Sequence, residues 1–316
     1  MNIFQTLLTH PILGPLLPML LAALAMTFLF SYTGLTFMVG ALQTTGMRTK
    51  RSAYNKAAKQ LAVLCLGLGW ILLIASRIYL FLSSDSYVPA SFLATVTELS
   101  WGLFGFSVIA VSIHFAVWNF MEKHRIWHAV IVFLAGFNAV VGTYAILGSL
   151  RLMAALELPN AASLTLADLF SFSFPSPLCN ALIAALLLIL AMPAAAGLVW
   201  FIMRRKKDDF GRDYYTTVMK WTAGWGKIAW IPLLLVMGAE VYFDVTPLLQ
   251  AESEITLMTI ASQAARVVPP VLVCIFMWLT AKNDLPMRCK PLCILAFLLS
   301  MTTAYFAFED ATSFLF

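Results

Sequence analysis

Residues 178–207 read LCNALIAALLLILAMPAAAGLVWFIMRRKK. No charged side chain interrupts 178–203, and Arg204, Arg205, Lys206 and Lys207 follow at once. An uncharged apolar run of this length exceeds the about 20 residues that a helix needs to cross a hydrocarbon core. Its abrupt basic end marks the side on which the chain leaves the membrane. The pattern recurs along the sequence. Apolar runs at 12–41, 59–83, 90–121, 126–153, 178–204, 219–247, 255–281 and 289–308 predict eight spans, and several are long enough to tilt or to extend beyond the bilayer.

The composition agrees. Of 316 residues, 61% are hydrophobic and only 11% are charged, where a soluble domain carries about 25%. A soluble globular fold and a disordered chain are both excluded. The longest connection, 154–177, is too short for a separate soluble domain. All of the 20 Lys and Arg residues except Arg77, Arg151 and Arg266 fall in or beside alternate loops, after the first, third, fifth and seventh spans. That bias predicts that these loops are cytoplasmic and that both termini are extracytoplasmic. It also accounts for the net charge of +5 without a nucleic-acid partner. No Lys or Arg precedes Arg48, so the first run lacks the positive start of a signal peptide and is expected to stay as a span. The cysteines, Cys65, Cys179, Cys274, Cys289 and Cys293, are odd in number and partly inside apolar runs, which speaks against a disulfide framework.

The expected fold is all-α: a polytopic membrane protein of eight helices in two four-helix units. The first unit is assigned to 1–155, an extracytoplasmic linker to 156–177 and the second unit to 178–316. Each unit opens with a span that ends in a basic, Tyr-containing loop. Trp70 and Trp230 occupy similar contexts in the helices that follow. Within the linker, Leu164 to Phe172 reads either as a short amphipathic helix on the outer face or as a plain loop.

Residues able to carry chemistry are few. There is no P-loop, HExxH, GxSxG or dinucleotide fingerprint. Among the histidines, His10, His124 and His128 flank spans and His114 lies within one. His114 and His128 are close enough to the same turn to hold one b haem, or to serve as hydrogen-bonded packing residues. Charges inside spans are costly, about 2.5–3.5 kcal/mol each at mid-membrane. Arg77 and Glu98 lie on consecutive spans at similar depth, as do Glu240 and Arg266. They read as two structural ion pairs or as a polar site for a quinone headgroup or a proton. A small-solute transporter using these charges is a further reading, although only Pro269-Pro270 marks a doubly broken helix of the carrier kind.

Several stretches resemble subunit I of the cytochrome bd quinol oxidases. AMTFLFSYTGLTFMVGAL, residues 25–42, and MRTKRSAYNKAAKQLAVLCLGLG, residues 47–69, look like the family's first span and its basic connection. FAVWNFMEKHRIWHAVIVFLAGFNAVVGTYAI, residues 115–146, is similar to the family's turn between the third and fourth helices, with Trp118, Gly136 and Asn138 at matching places. LELPNA, residues 156–161, resembles the element after the fourth span, and Ala265-Arg266 falls where the family has an aromatic-Arg pair. The resemblance covers most of the chain through degenerate motifs.

The departures define what the resemblance implies. The family's haem-ligand histidines fall on Thr27 and Asn180, and its axial methionine falls on Val268. None of these three is a plausible haem ligand in that role. The long quinol-binding loop between spans 6 and 7 shrinks to about Asp244–Glu254. Glu98 stands near one of the family's acidic positions in span 3. The implied protein is a haem-free relative in a prokaryotic cytoplasmic membrane. It would bind no cofactor directly and would act as an integral subunit of a respiratory electron-transfer complex. Its partners would be multihaem c-type cytochromes or iron–sulfur proteins, and a quinone site would be framed by Arg77, Glu98, Glu240 and Arg266.

Overall fold

A computed structural model describes residues 13–83, 91–155, 177–250 and 256–313. The described residues form eight α-helices: α1 Leu13–Thr49, α2 Ser52–Ser83, α3 Ser91–Ala116, α4 Arg125–Ala155, α5 Pro177–Arg204, α6 Arg212–Gln250, α7 Leu257–Lys282 and α8 Lys290–Ser313. Two 3-10 turns, Phe120–Lys123 and Pro286–Cys289, complete them, and no strand occurs among the described residues. All eight helices are long and apolar enough to cross a membrane. The chain therefore has the architecture of a multi-pass membrane protein. The linker segment 164–172 and His10 lie outside the described residues.

Among the described residues consecutive helices pack side by side within α1–α4 and within α5–α8, α1 also packs on α4, and α5 packs on α8. Helix α1 packs on α5 and α8 as well, so it contacts helices from both halves of the chain. In its most apolar stretch α5 has 67% of its residues buried, against 22% for α7. The run that announces the fold in the sequence is thus the central helix. Its small residues explain why: Ala191, Ala194 and Ala195 are fully buried, and Gly34 of α1 lies directly on the backbone of Ile189 and the ring of Pro193. Small side chains let helix axes approach where no hydrophobic force drives helices together in lipid. Pro193 has no N–H to give to the Ile189 carbonyl one turn earlier, so that oxygen is turned toward the α1 contact.

Interhelical hydrogen bonds fix α1 against α3 and α4. The Tyr32 hydroxyl shares a hydrogen bond of 2.8 Å with Ser107, whose hydroxyl lies 2.9 Å from the Ala135 carbonyl. Thr33 and Thr143 share another at 2.8 Å. Large apolar side chains such as Leu20, Phe106, Leu134 and Leu235 point outward and are exposed. A protein in water seldom offers so much contiguous apolar surface, whereas a bilayer solvates it.

Several helices differ from expectation: α1 runs on to Thr49 and α2 starts at Ser52, well past the expected 41 and before 59. Helix α6 begins at Arg212 instead of 219, because Tyr214 and Tyr215 are buried and carry the helix past the polar stretch. Helix α3 stops at Ala116, and residues 117–124 turn through a 3-10 segment so that α4 can fold back. Helix α7 runs unbroken through Pro269-Pro270, and both prolines are buried against its neighbours. The loops around 50–51, 117–124, 205–211 and 283–289, together with the helix ends beside them, hold most of the basic residues and form the basic end of the molecule. There Lys50 takes a positive φ of 56° and reverses the chain between α1 and α2 within two residues.

Candidate functional site

The turn after α3 brings His114 and His128 together. Their rings stack face to face with centroids 3.8 Å apart and planes 13° from parallel. Trp118 stands edge-on to both, at 5.5 Å and 4.8 Å. Both imidazoles are buried. His128 Nε2 lies 2.8 Å from the His114 carbonyl, and its Nδ1 lies 3.0 Å from Gln43 Nε2 on α1. A carbonyl only accepts, so Nε2 carries the proton and donates, while Nδ1 accepts from the Gln43 amide. His128 is thereby fixed as the neutral Nε2–H tautomer, with both nitrogens engaged. An axial haem ligand must aim a free nitrogen lone pair at the iron. Two stacked rings leave no room for a porphyrin between them, so the pair does not fit a bis-histidine haem. His114 differs from its neighbour, since among the described residues neither of its ring nitrogens has a hydrogen-bond partner.

At the end away from the basic loops, Arg77 of α2 donates from Nη1 to Glu98 Oε1 of α3 at 2.6 Å. The two side chains are 52% and 58% exposed, so the pair faces out of the bundle. Trp101, one turn beyond Glu98, lies under the guanidinium at 5.1 Å and donates its own N–H to the Leu73 carbonyl. The contact is therefore a three-residue assembly, with a cation held between a carboxylate and an aromatic face. In the second half, Arg266 of α7 is half-buried with its guanidinium 5.6 Å from the Phe306 ring of α8. Glu240 lies half-buried on α6, the helix packed beside α7.

Of the three positions assigned to lost haem ligands, Thr27 is fully buried and donates its hydroxyl to the Ala23 carbonyl of its own helix at 2.6 Å. Val268 is 49% exposed and faces away from the bundle interior. Asn180 lies in the first turn of α5. The side chains seen at 27 and 268 do not fit a haem: one has no free lone pair aimed into a cavity, and the other points outward. The outward direction of Val268 also shows that the correspondence in α7 does not place a ligand toward a shared centre.

The tryptophan correspondence is not preserved in environment. Trp230 is fully buried, whereas Trp70 is 41% exposed and donates to Ser112 on α3.

Sequence reasoning missed the most connected polar cluster, at the basic end between α2, α5 and α6. Asp208 accepts from Arg204 Nε at 2.6 Å and from Gln60 Nε2 at 2.9 Å. Tyr214 donates to Gln60 Oε1 at 2.7 Å, and the Tyr215 hydroxyl donates to the Asp208 carbonyl. Trp200 donates to the Gln60 carbonyl at 2.8 Å. One glutamine thus ties the first half of the chain to the loop of the second. A signal was present: Gln60 opens an otherwise apolar run, and Arg204 and Asp208 stand at helical i,i+4 spacing. The chain matches no family model and no curated protein.

Proposed function

We propose that this chain is a haem-free, cytochrome bd subunit I-like membrane subunit of a respiratory electron-transfer complex. It anchors redox partners, multihaem c-type cytochromes or iron–sulfur proteins, at the face opposite its basic loops. It lies in a prokaryotic cytoplasmic membrane with the basic end in the cytoplasm, which puts both termini outside, as the charge bias requires. The observation that carries the reading is the Arg77–Glu98–Trp101 assembly. It is a paired charge at the outer end of two membrane helices, half-exposed instead of sealed in the core. A purely structural pair gains little from exposure. A pair that meets an extracytoplasmic subunit or a quinone headgroup needs it. Three observations support the haem-free part: Thr27 is engaged by its own helix, Val268 points outward, and His128 has both ring nitrogens engaged while its ring stacks on that of His114. In this reading the chain contributes position and electrostatics while its partners carry electrons.

The test is purification in mild detergent from the native membrane, followed by quantification of haem c, iron and this chain. Fixed stoichiometry with haem-c or iron–sulfur subunits is expected, lost when Arg77 and Glu98 are both replaced by Leu. The chain expressed alone should give no b haem in a pyridine haemochrome assay. About one b haem per chain, or a chain that purifies alone from its own membrane, would refute the proposal.

A further inference from the structure

The basic end holds a cavity of about 290 Å³ between the α5–α6 loop and the α7–α8 turn. Arg205, Arg212, Arg288 and Lys290 line it, with Tyr215 and Thr216 on its wall. Four cations from three chain segments converge there. Among the described residues none of the four has a carboxylate within ion-pair distance. Of the nearby acids, Asp208 is engaged by Arg204 and Gln60, Asp284 by Lys220, and the Asp209 carboxylate by the Gly211 amide; Asp213, exposed in the first turn of α6, does not line the cavity.

The cations also stand where helices least favour them. Arg212 opens α6 and Lys290 opens α8, with Arg288 in the turn just before it. A helix N-terminus carries a partial positive charge, and basic side chains there are unfavourable. Topology explains why the basic residues are on this end of the molecule. It does not explain why four of them, all exposed, line one half-open concave space at two helix starts. Both features become favourable together when an anion fills that space, because the helix ends and the cations then act on it in the same direction. The volume is at the lower edge of the about 300–1,000 Å³ usual for small-molecule sites. It suits one phosphate group and its immediate substituent.

We infer that this cavity binds a phosphate ester or phosphate anion, through Arg205, Arg212, Arg288 and Lys290. Two sources share that chemistry, the headgroup of an anionic phospholipid in the adjoining leaflet and a soluble phosphate. Occupation clamps the α5–α6 loop to the start of α8, adding to the Lys220–Asp284 contact that already ties α6 to the α7–α8 turn.

The test uses the purified full chain, exchanged into lipid-free detergent. One arm adds phosphatidylglycerol or phosphatidylcholine and counts bound lipid by native mass spectrometry. The other titrates inorganic phosphate against chloride at equal ionic strength and follows the unfolding midpoint. Arg205→Gln/Arg288→Gln is expected to bind the anion about thirtyfold more weakly. Arg48→Gln/Lys50→Gln, exposed at the same end and outside the cavity, is expected to bind like the parent. Arg205→Lys/Arg288→Lys keeps the charges and retains most of the binding, which separates a lost site from a misfolded loop. Selective loss of phosphatidylglycerol without a response to phosphate assigns the lipid. A phosphate response that the Gln variant loses assigns the soluble anion. Equal loss in both Gln variants, or a parent that neither prefers the anionic lipid nor responds to phosphate, overturns the site.

Discussion

Replacing Gly34 by alanine tests the packing of α1 on α5. A Cβ built on Gly34 would lie 2.8 Å from both Cδ and Cγ of Pro193, and closer still to the Ile189 carbonyl oxygen. Ordinary contact begins near 3.4 Å, so the proline ring alone would have to recede by about 0.6 Å and the carbonyl by more. Neither group can rotate away. One is backbone, the other is a ring fixed to backbone, and α5 is held from three sides by α1, α6 and α8. The clash must therefore be relieved by separating α1 from α5. Overpacking of a tight contact costs about 1–3 kcal/mol, and a rigid backbone partner places this one at the upper end. Alanine recovers up to about 1 kcal/mol as the better helix former. The net expectation is a loss of about 2 kcal/mol, seen as a midpoint lowered by about 3 °C in a chain of this length. The assay is thermal unfolding of the purified chain in one detergent, followed by tryptophan fluorescence. Gly224→Ala is the control, because nothing lies within 4 Å of a Cβ there, and its midpoint should hold or rise. A Gly34→Ala midpoint equal to that of Gly224→Ala would refute the close-approach argument.

Three further outcomes follow from the same structure. In a double-mutant cycle, Arg77→Gln and Glu98→Gln should each destabilise the chain and the double variant less than their sum, with coupling of about 1 kcal/mol where water reaches the pair and ~3–5 kcal/mol where lipid does; additive effects would dismiss the ion pair as an energetic unit. Asp208→Asn should cost about 1–3 kcal/mol by weakening two bonds to a half-buried carboxylate, while Asp284→Asn, whose side chain is 98% exposed, should stay within about 0.5 kcal/mol, and equal midpoints for the two would contradict the cluster. His114→Leu should leave the midpoint unchanged or raise it, because it removes two buried nitrogens that have no described partner, whereas His128→Leu strands the Gln43 amide and the His114 carbonyl and should lower it by about 1–3 kcal/mol; the reverse order would overturn the tautomer assignment.

The fold was legible because lipid demands a simple code. A span must be apolar for about 20 residues and must satisfy its own backbone, so residues 178–203 declare a helix without any knowledge of its neighbours. The Arg77–Glu98 contact was legible for the same reason, since a charge at that depth requires an opposite charge at the same level on the next helix. What the pattern does not encode is facing. Trp70 and Trp230 look alike in sequence, yet one faces outward and the other is sealed in the core, because the rotation of a span about its axis is set by the partner helices and not by its hydropathy. Val268 was hidden in the same way. Gln60 was overlooked because its partners, Asp208 and Tyr214, are about 150 residues away in sequence, and only the packing of α2 on α5 and α6 brings them within reach.

The two ends of the molecule hold their polar groups differently. At the basic end, Gln60, Arg204, Asp208 and Tyr214 form a cross-braced junction between the halves, and the cationic cavity lies immediately beside it. Buried polar networks of this kind hold a single geometry, because every displaced member leaves a costly unsatisfied group. At the opposite end the corresponding feature, Arg77 with Glu98, is braced on one side only, by Trp101, and remains open on the other. A subunit that anchors partners on one face needs this asymmetry. Its far end must be stiff so that binding at the near end does not splay the helices, and its near end must keep charged groups accessible but already oriented. A carrier would need the opposite arrangement, with a flexible seam between halves and charges sealed at mid-depth. The rigid Gly34–Pro193 contact and the outward-facing ion pair both favour the anchor.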